Sequence, residues 1–457
     1  MIRSDHNLQS EGNEKSVYIK TKINLGCLNQ ASAKKAWLFC FLIAALLLFG
    51  THFRVLTLCA FALAAAYIVI EKKIYSIYML FFIMPFSPIF KISAGTSFFT
   101  YLELLFVIMY IIRKNMKLSG VEPSILLFIF FLIINQCLHG VLNITITTRF
   151  FVFLFFLVAV VNEEFPNENK NLMLMYITGV ITSSLIAMLD SPYFQIAQLS
   201  QMKQERVNGV YVTRFSGLYG DPNYYVVNLI LAMALLIVLF VKKKLSLLQT
   251  SILMLFLVYF TSQTGSKSGL FMIAVVAVFF VYQLFARGHY ILCSMSTAFL
   301  IFALLAIFSG KIEMFSVVLS RLAVSSAGLT SGRAENKWSV FLAYFLENPL
   351  RLVFGRSIAF FELDGNAAHN TYIDLLYELG IVGTVLFLHI IKNAKSKVQF
   401  RKRNLLNYCV LATILLMYFF LSELQYFDPP FHIAFAILVM NMDLSEKQNK
   451  IEMRVAK

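Results

Sequence analysis

The chain has 457 residues, 59% hydrophobic and 14% charged, with 39 Lys and Arg against 24 Asp and Glu for a formal net charge of +15 and a mean hydropathy of +0.75. Soluble domains average about 25% charged residues, so the composition excludes a soluble globular enzyme and points to a polytopic membrane protein. The excess of cations is no argument for a nucleic-acid partner, which would need a basic face on a folded soluble domain.

Residues 1–35 are polar and Lys-bearing, too long a lead-in for a cleavable signal peptide, and read as a disordered cytoplasmic tail. Apolar runs follow at 36–50, 55–70, 74–90, 97–112, 122–138, 146–161, 171–190, 223–241, 246–262, 268–286, 289–309, 370–391, 404–422 and 427–443. Runs of roughly 16 to 22 residues suffice, at about 1.5 Å per residue, to cross a hydrocarbon core of about 30 Å. The expected fold is therefore an all-α polytopic membrane protein with about 12 to 14 transmembrane helices. They group as an N-terminal bundle over 36–190, further spans over 223–309 and C-terminal spans over 370–443, with a cytoplasmic tail at 444–457.

Orientation follows from the cations, because cytoplasmic loops retain Lys and Arg. With the N-terminus inside, "EKK" at 71–73, "RKNMK" at 113–117, "KKK" at 242–244 and "KNAKSKVQFRKR" at 392–403 all fall on the cytoplasmic side. The acidic loop at 162–171 also falls inside, but acidic residues carry little topological weight. The six cysteines lie in expected spans or in the cytoplasmic tail, so neither a disulfide framework nor a Cys metal site is implied. No inverted repeat suggests a secondary transporter.

Two loops expected outside, 191–222 and 310–369, are far longer than ordinary connections, which marks them as functional or disordered. In the second, "AENKWSVFLAYFLENPLRLVFG" has helical apolar spacing and is expected to lie as an amphipathic helix at the membrane interface. These loops hold most of the cations that break the positive-inside trend: Lys203, Arg206, Arg214, Lys311, Arg321, Arg333, Lys337, Arg351 and Arg356. Long loops translocate whatever their charge, so each can be a plain solvated residue. The sharper reading is an anionic partner such as a phosphate or pyrophosphate head group, which guanidinium binds bidentately.

Arg214 precedes "SGLYGDPNYY" in the first loop. There Asp221 is placed to cap the following span, with Pro222 in its first turn and Asn223 just inside. That makes a helix N-terminus at the outer surface, where free N–H groups favour an anion. In "NAAHNTYIDLLYELGIVG", 366–383, His369 and Asn370 stand at the border of the next span. Asp374 and Glu378 follow four residues apart, on one helical face. Glu378 would sit about 12 Å along the helix, where carboxylates face the bundle interior with a partner.

"RFSGLYGDPNYY", "TGSKSG" at 264–269, "SGRAENKW" at 331–338, "ENPLRLVFGRS" at 347–357 and "HNTYIDLLYELGIVG" at 369–383 resemble, in order and spacing, the O-antigen ligase and Wzy-type polysaccharide polymerase superfamily. The likeness covers roughly 214–388; Lys267 stands where related sequences often carry Arg, and "VFGRS" lacks a second glycine common in the family. The resemblance implies a GT-C-like glycosyltransferase of the bacterial inner membrane with its site on the periplasmic or outer face. Its donor would be a glycan on undecaprenyl pyrophosphate. Its acceptor would be another lipid-linked repeat unit, for a polymerase, or lipid A-core, for a ligase; the polymerase is the expectation, with a chain-length regulator as a possible partner besides membrane lipid.

His369 is then the general base, with Arg214, Arg333 and Lys267 stabilising the pyrophosphate. Asn370 either caps its helix or contacts an acceptor sugar. Asp374 and Glu378 orient His369, pair with a loop arginine or form a structural ion pair. Asp221 and Asn223 support the helix start. No cofactor is expected, and no metal, since no acidic cluster with ligand spacing stands in the outside loops. Two other classes fit the spans: a polysaccharide transporter or flippase, whose polar residues belong mid-membrane on broken helices, and a non-catalytic assembly protein, for which His369 would be dispensable.

Overall fold

The computed structural model describes residues 34–51, 53–91, 97–114, 123–141, 143–161, 169–188, 202–207, 210–286, 288–312, 315–324, 337–358, 360, 363, 367–396, 405–421 and 432. The expected tails at 1–33 and 444–457, Arg333, and the last apolar run apart from His432 lie outside the described residues.

The protein is mostly helical. Helix α1 covers 34–50. It is followed by α2 (Arg54–Ile70), α3 (Lys73–Ile83), α4 (Phe98–Lys114), α5 (Pro123–Leu138), α6 (Ile144–Val161) and α7 (Asn169–Met188). Beyond the first long loop come α8 (Pro222–Val241), α9 (Leu247–Gln263), α10 (Lys267–Ala286) and α11 (Tyr290–Phe308). The second loop contributes α12 (Ser316–Val324), α13 (Ser339–Glu347) and α14 (Pro349–Phe354), before α15 (Thr371–Ser396) and α16 (Leu405–Tyr418). Every apolar run from 36 to 422 thus falls on a helix. The physical reason is that backbone groups in hydrocarbon have no water and must bond within their own segment. Among the described residues, five helices are long and apolar enough to cross a membrane, and six more apolar helices are 10–17 residues long.

Helix α8 is the axis, buried along nearly its whole length and packed by α7, α9, α10 and α16. Polar stitches cross it: Tyr176 donates to Asn228 Oδ1 at 2.9 Å, and His432 Nε2 lies 3.2 Å from the same oxygen. Short turns join α8 to α9 and α9 to α10, so the three run antiparallel in sequence. The start of α8, the α9–α10 turn and the end of α11 therefore share one end of the bundle. Lys242, Lys243 and Lys244 occupy the opposite end, in the α8–α9 turn.

Three features depart from the expected fold. The first long loop contains an antiparallel hairpin, β1 (Met202–Val207) and β2 (Val210–Phe215), with Lys203 opposite Arg214, so the chain is not purely helical. The strands are joined by Asn208-Gly209, the sequence pair favoured in two-residue hairpin turns. The single amphipathic helix expected near 334–355 is two, divided where Asn348 caps α14 by accepting from Leu350 N, ahead of Pro349. Phe341 and Phe345 on α13 face a small core with Ala368 and Tyr377, while Leu342, Leu346 and Leu350 are exposed.

The third departure is in α15. Hydropathy reads continuously over 370–391, yet Gly380 has φ 64° and ψ −176°, which splits α15 into a short first segment ending at Leu379 and a longer second one. A Cβ on Gly380 would stand 2.4 Å from Gly355 N and from Val353 O, so the two glycines let two backbones touch. The carbonyls released by the break are used: Arg356 N donates to Tyr377 O at 2.7 Å and Ser357 N to Glu378 O at 2.9 Å. Gly383, the other glycine of the motif, faces the Phe131 ring of α5, where a Cβ would come within 2.4 Å.

Candidate functional site

The sequence motifs collect into two clusters. The first is a junction of helix starts. Asp221 caps α8 by accepting from Asn223 N at 2.8 Å, and Pro222 sits in the first turn, as the sequence predicts. Gly217 and Gly220, with φ of 56° and 68°, carry the chain from β2 into that cap. Arg214 is 3% exposed, and its Nε donates to Thr264 O at 2.8 Å. Its second amino group donates to Asn223 Oδ1 at 3.2 Å. Asn223 Oδ1 also accepts from Ser266 Oγ at 3.0 Å.

"RFSGLYGDPN" and "TGSKSG" are thus tied by side chains across the N-termini of α8 and α10. Lys267 is the first residue of α10, half-buried. The opposite side of the same turn is held from the second loop, where Arg321 on α12 donates to Gly265 O and Val317 packs where a Cβ on Gly265 would fall. Two guanidinium groups therefore bind successive carbonyls. Those carbonyls close the C-terminus of α9, where the helix dipole favours cations, while the adjoining N-termini of α8 and α10 favour negative charge. Sequence reasoning missed Thr264, Ser266 and the placement of Arg321. The serine and threonine of "TGSKSG" could have flagged the first two, because such residues bond their own turns.

The second cluster surrounds His369. This residue is half-buried with φ 51°, a left-handed conformation that few non-glycine residues adopt, His somewhat more often than most. Asn370, 3% exposed, caps α15: its Oδ1 accepts from Tyr372 N at 3.0 Å and Ile373 N at 3.3 Å. Of the two roles expected for Asn370, capping is the one observed. Asp374 and Glu378 are 4% and 1% exposed on the inward face of the short segment, Glu378 two residues before the break. Arg356 donates to Tyr377 OH at 2.8 Å and lies over the Phe360 ring at 4.6 Å. This arginine was grouped with the loop cations but given no role by the sequence.

"SGRAENKW" reaches this cluster through Trp338, whose indole N–H donates to Ala368 O at 3.0 Å, next to His369. Arg333 itself lies outside the described residues, so its expected role has no geometry. The clusters are linked through the end of α16. Thr371 Oγ donates to Leu421 O at 2.5 Å, while Phe420 packs edge-on against Phe271, one turn into α10 from Lys267. Trp338 joins the same aromatic row through Phe419. The His369 turn and the Arg214 junction accordingly stand at the same end of the bundle. No group of three or more His, Cys, Asp or Glu side chains is placed to hold a metal ion among the described residues.

Fold and site together define a mostly helical protein, with several helices long and apolar enough to cross a membrane, that gathers a cationic helix junction and a strained histidine turn at one end. Compared with known proteins, the chain matches no family model, no curated protein and no solved structure.

Proposed function

We propose that the protein is a membrane glycosyltransferase that moves a glycan from undecaprenyl pyrophosphate to a glycan acceptor, most simply another lipid-linked repeat unit, as a polysaccharide polymerase does. The carrying observation is the Arg214 junction. Arg214, Arg321 and Lys267 gather beside the N-termini of α8 and α10, whose first N–H groups and dipoles favour an anion. Preorganised cations of this kind act on charge that develops as a leaving group departs. Arg214 is buried by its bonds to Thr264 and Asn223, so its part is to lock the cradle and set its potential, with Lys267 nearer the ligand.

In the proposed reaction an acceptor hydroxyl oxygen attacks the anomeric carbon, forming the new glycosidic C–O bond. The sugar-to-pyrophosphate bond breaks, and polyprenyl pyrophosphate leaves with the electron pair. The hydroxyl proton passes to neutral His369. In this reading the site end faces the periplasm or outer surface of the bacterial inner membrane, which the Lys242 to Lys244 run at the opposite end supports, because cytoplasmic loops are enriched in such cations.

The test is the purified full-length protein reconstituted in vesicles with lipid-pyrophosphate-linked oligosaccharide. Growth of the lipid-linked glycan, unchanged by chelator, is expected. Transfer to lipid A-core alone would make the protein a ligase, and transport without any bond formation would overturn the enzyme reading.

A further inference from the structure

The break in α15 is held from a distant part of the chain. On α5, Asn135 is 5% exposed, and its Nδ2 donates to Phe354 O at 2.8 Å. Phe354 ends α14 and is followed by Gly355, whose backbone lies against Gly380 at the break. The next two residues donate their N–H groups to the carbonyls of Tyr377 and Glu378. Three residues here have positive φ: Gly355 at 71°, Ser357 at 103° and Gly380 at 64°. Ser357 is not a glycine, so its conformation carries backbone strain, and strain persists only where surrounding structure over-determines it. The turn at 354–357 is thus a wedge in α15, and Asn135 is its side-chain bond to the α5–α15 face.

We infer that Asn135 is a positioning residue: through Phe354 and the Gly355–Gly380 contact it fixes the angle at which the short segment of α15 presents His369. The inference rests on the transfer reading for its kinetic consequence but not for its geometric one. Nothing else in the α5 sequence "PSILLFIFFLIINQCL" needs an amide at this place, since a leucine there would serve a lipid-facing or core helix equally well. The chain instead pairs a buried amide with a carbonyl left at the end of a six-residue helix. The bond couples the N-terminal bundle to the loop that shapes the site.

The experiment uses the full-length protein in vesicles with Asn135→Leu and Asn135→Asp, and two readouts. Kinetically, Asn135→Leu is expected to lower kcat about 10- to 100-fold, as a misplaced catalytic group does. Donor KM should stay nearly unchanged, because the Arg214 junction is untouched. A protonated carboxyl can donate to Phe354 O and a carboxylate cannot. Relative to wild type at each pH, kcat of Asn135→Asp should therefore climb as pH falls, which a loss of packing would not produce.

Independently of activity, a thiol introduced by His369→Cys is alkylated with a water-soluble maleimide and read at residue 369 by mass spectrometry. Adding Asn135→Leu should change its alkylation rate severalfold. Unchanged alkylation together with wild-type kcat overturns the inference, as does a loss of kcat in both variants that does not depend on pH. If wild type transfers nothing, the transfer reading fails while the alkylation rate still decides the role of Asn135. If Asn135→Leu fails to insert, the pH response of Asn135→Asp decides.

Discussion

At the Arg214 junction, side chains do the joining: Arg214 bonds Thr264 O and Asn223, Asn223 accepts from Ser266, and Asp221 caps the helix. At the His369 helix, backbone does it: Gly355 lies against Gly380, two N–H groups of the second loop bond α15 carbonyls, and His369 and Ser357 stand at positive φ. A site closed by side-chain bonds is rigid before any ligand arrives, which suits charge stabilisation. A segment whose angle is set by a strained, over-determined wedge is held in one orientation, which suits the placement of a reacting group. On the proposed reading, the first region binds the anion and the second aligns the reacting group.

The largest effect separates the two directly. His369→Ala should lower kcat by about 10²- to 10⁴-fold, the range for a general acid or base, with melting temperature and donor KM close to wild type. The rate of the wild type should rise with pH as the imidazole loses its proton. Near-normal turnover by His369→Ala in vesicles would remove this residue as the base and leave the His369 helix with no more than a structural part.

Next comes Arg214→Ala, with a loss of about 10²- to 10³-fold from removing one preorganised charge. Because Arg214 is buried and its partners would lose their bonds, a stability loss of about 1–3 kcal/mol per stranded group should accompany it. Arg214→Lys keeps the charge but loses the planar fork whose separate nitrogens reach Thr264 O and Asn223, so it should restore activity poorly. Full activity in Arg214→Lys would show that the junction needs charge and not the fork.

Gly380→Ala tests the backbone side of the comparison. It forces a Cβ to within 2.4 Å of Gly355 N and Val353 O at φ 64°, with no flexible side chain to yield. The conformational term alone is about 1–3 kcal/mol, so a marked drop in melting temperature is expected. Gly383→Ala meets the Phe131 ring and Leu379 Cβ rather than backbone, and without a positive φ, so it should cost less. Equal losses at the two positions would mean that the Gly355–Gly380 contact does not hold the break.

How much of this was readable in the sequence follows the same division. Side-chain chemistry is local: Asp-Pro-Asn announces a helix start, and Asp221, Pro222 and Asn223 take the expected positions. Asn-Gly before the β-prone "VYVTRF" was the one local sign of the hairpin, and the polar, helix-favouring "MKQERV" of its first strand hid it. The break at Gly380 was not readable, because apolar residues flank it without interruption and a glycine in such a run is a weak breaker. It exists because Gly355, 25 residues earlier, approaches it. Arg321 and Asn135 were illegible for the same reason: each acts on a carbonyl far away in sequence, Gly265 O and Phe354 O.

The smallest expected effects come from exchanging the two caps. Asp221 and Asn370 do the same mechanical task, each accepting from the first turn of its helix, so removing either by alanine should cost about 1 kcal/mol of stability. They differ in charge. Asp221→Asn keeps an acceptor of equal capping strength while removing a negative charge beside the Arg214 cradle. If that cradle binds pyrophosphate, the donor KM should fall modestly and kcat should hardly move. Asn370→Asp also keeps the cap, but adds a negative charge next to His369. A carboxylate favours the protonated ring, so less neutral imidazole is present at any given pH and the rising limb of the rate should move to higher pH. Donor KM should stay constant. The exchange therefore predicts opposite signatures, affinity at one helix start and pH dependence at the other, measured on variants with near-native melting temperature. A KM change in Asn370→Asp with no shift of the limb would place the anion at the His369 helix and reverse the assignment of the two regions.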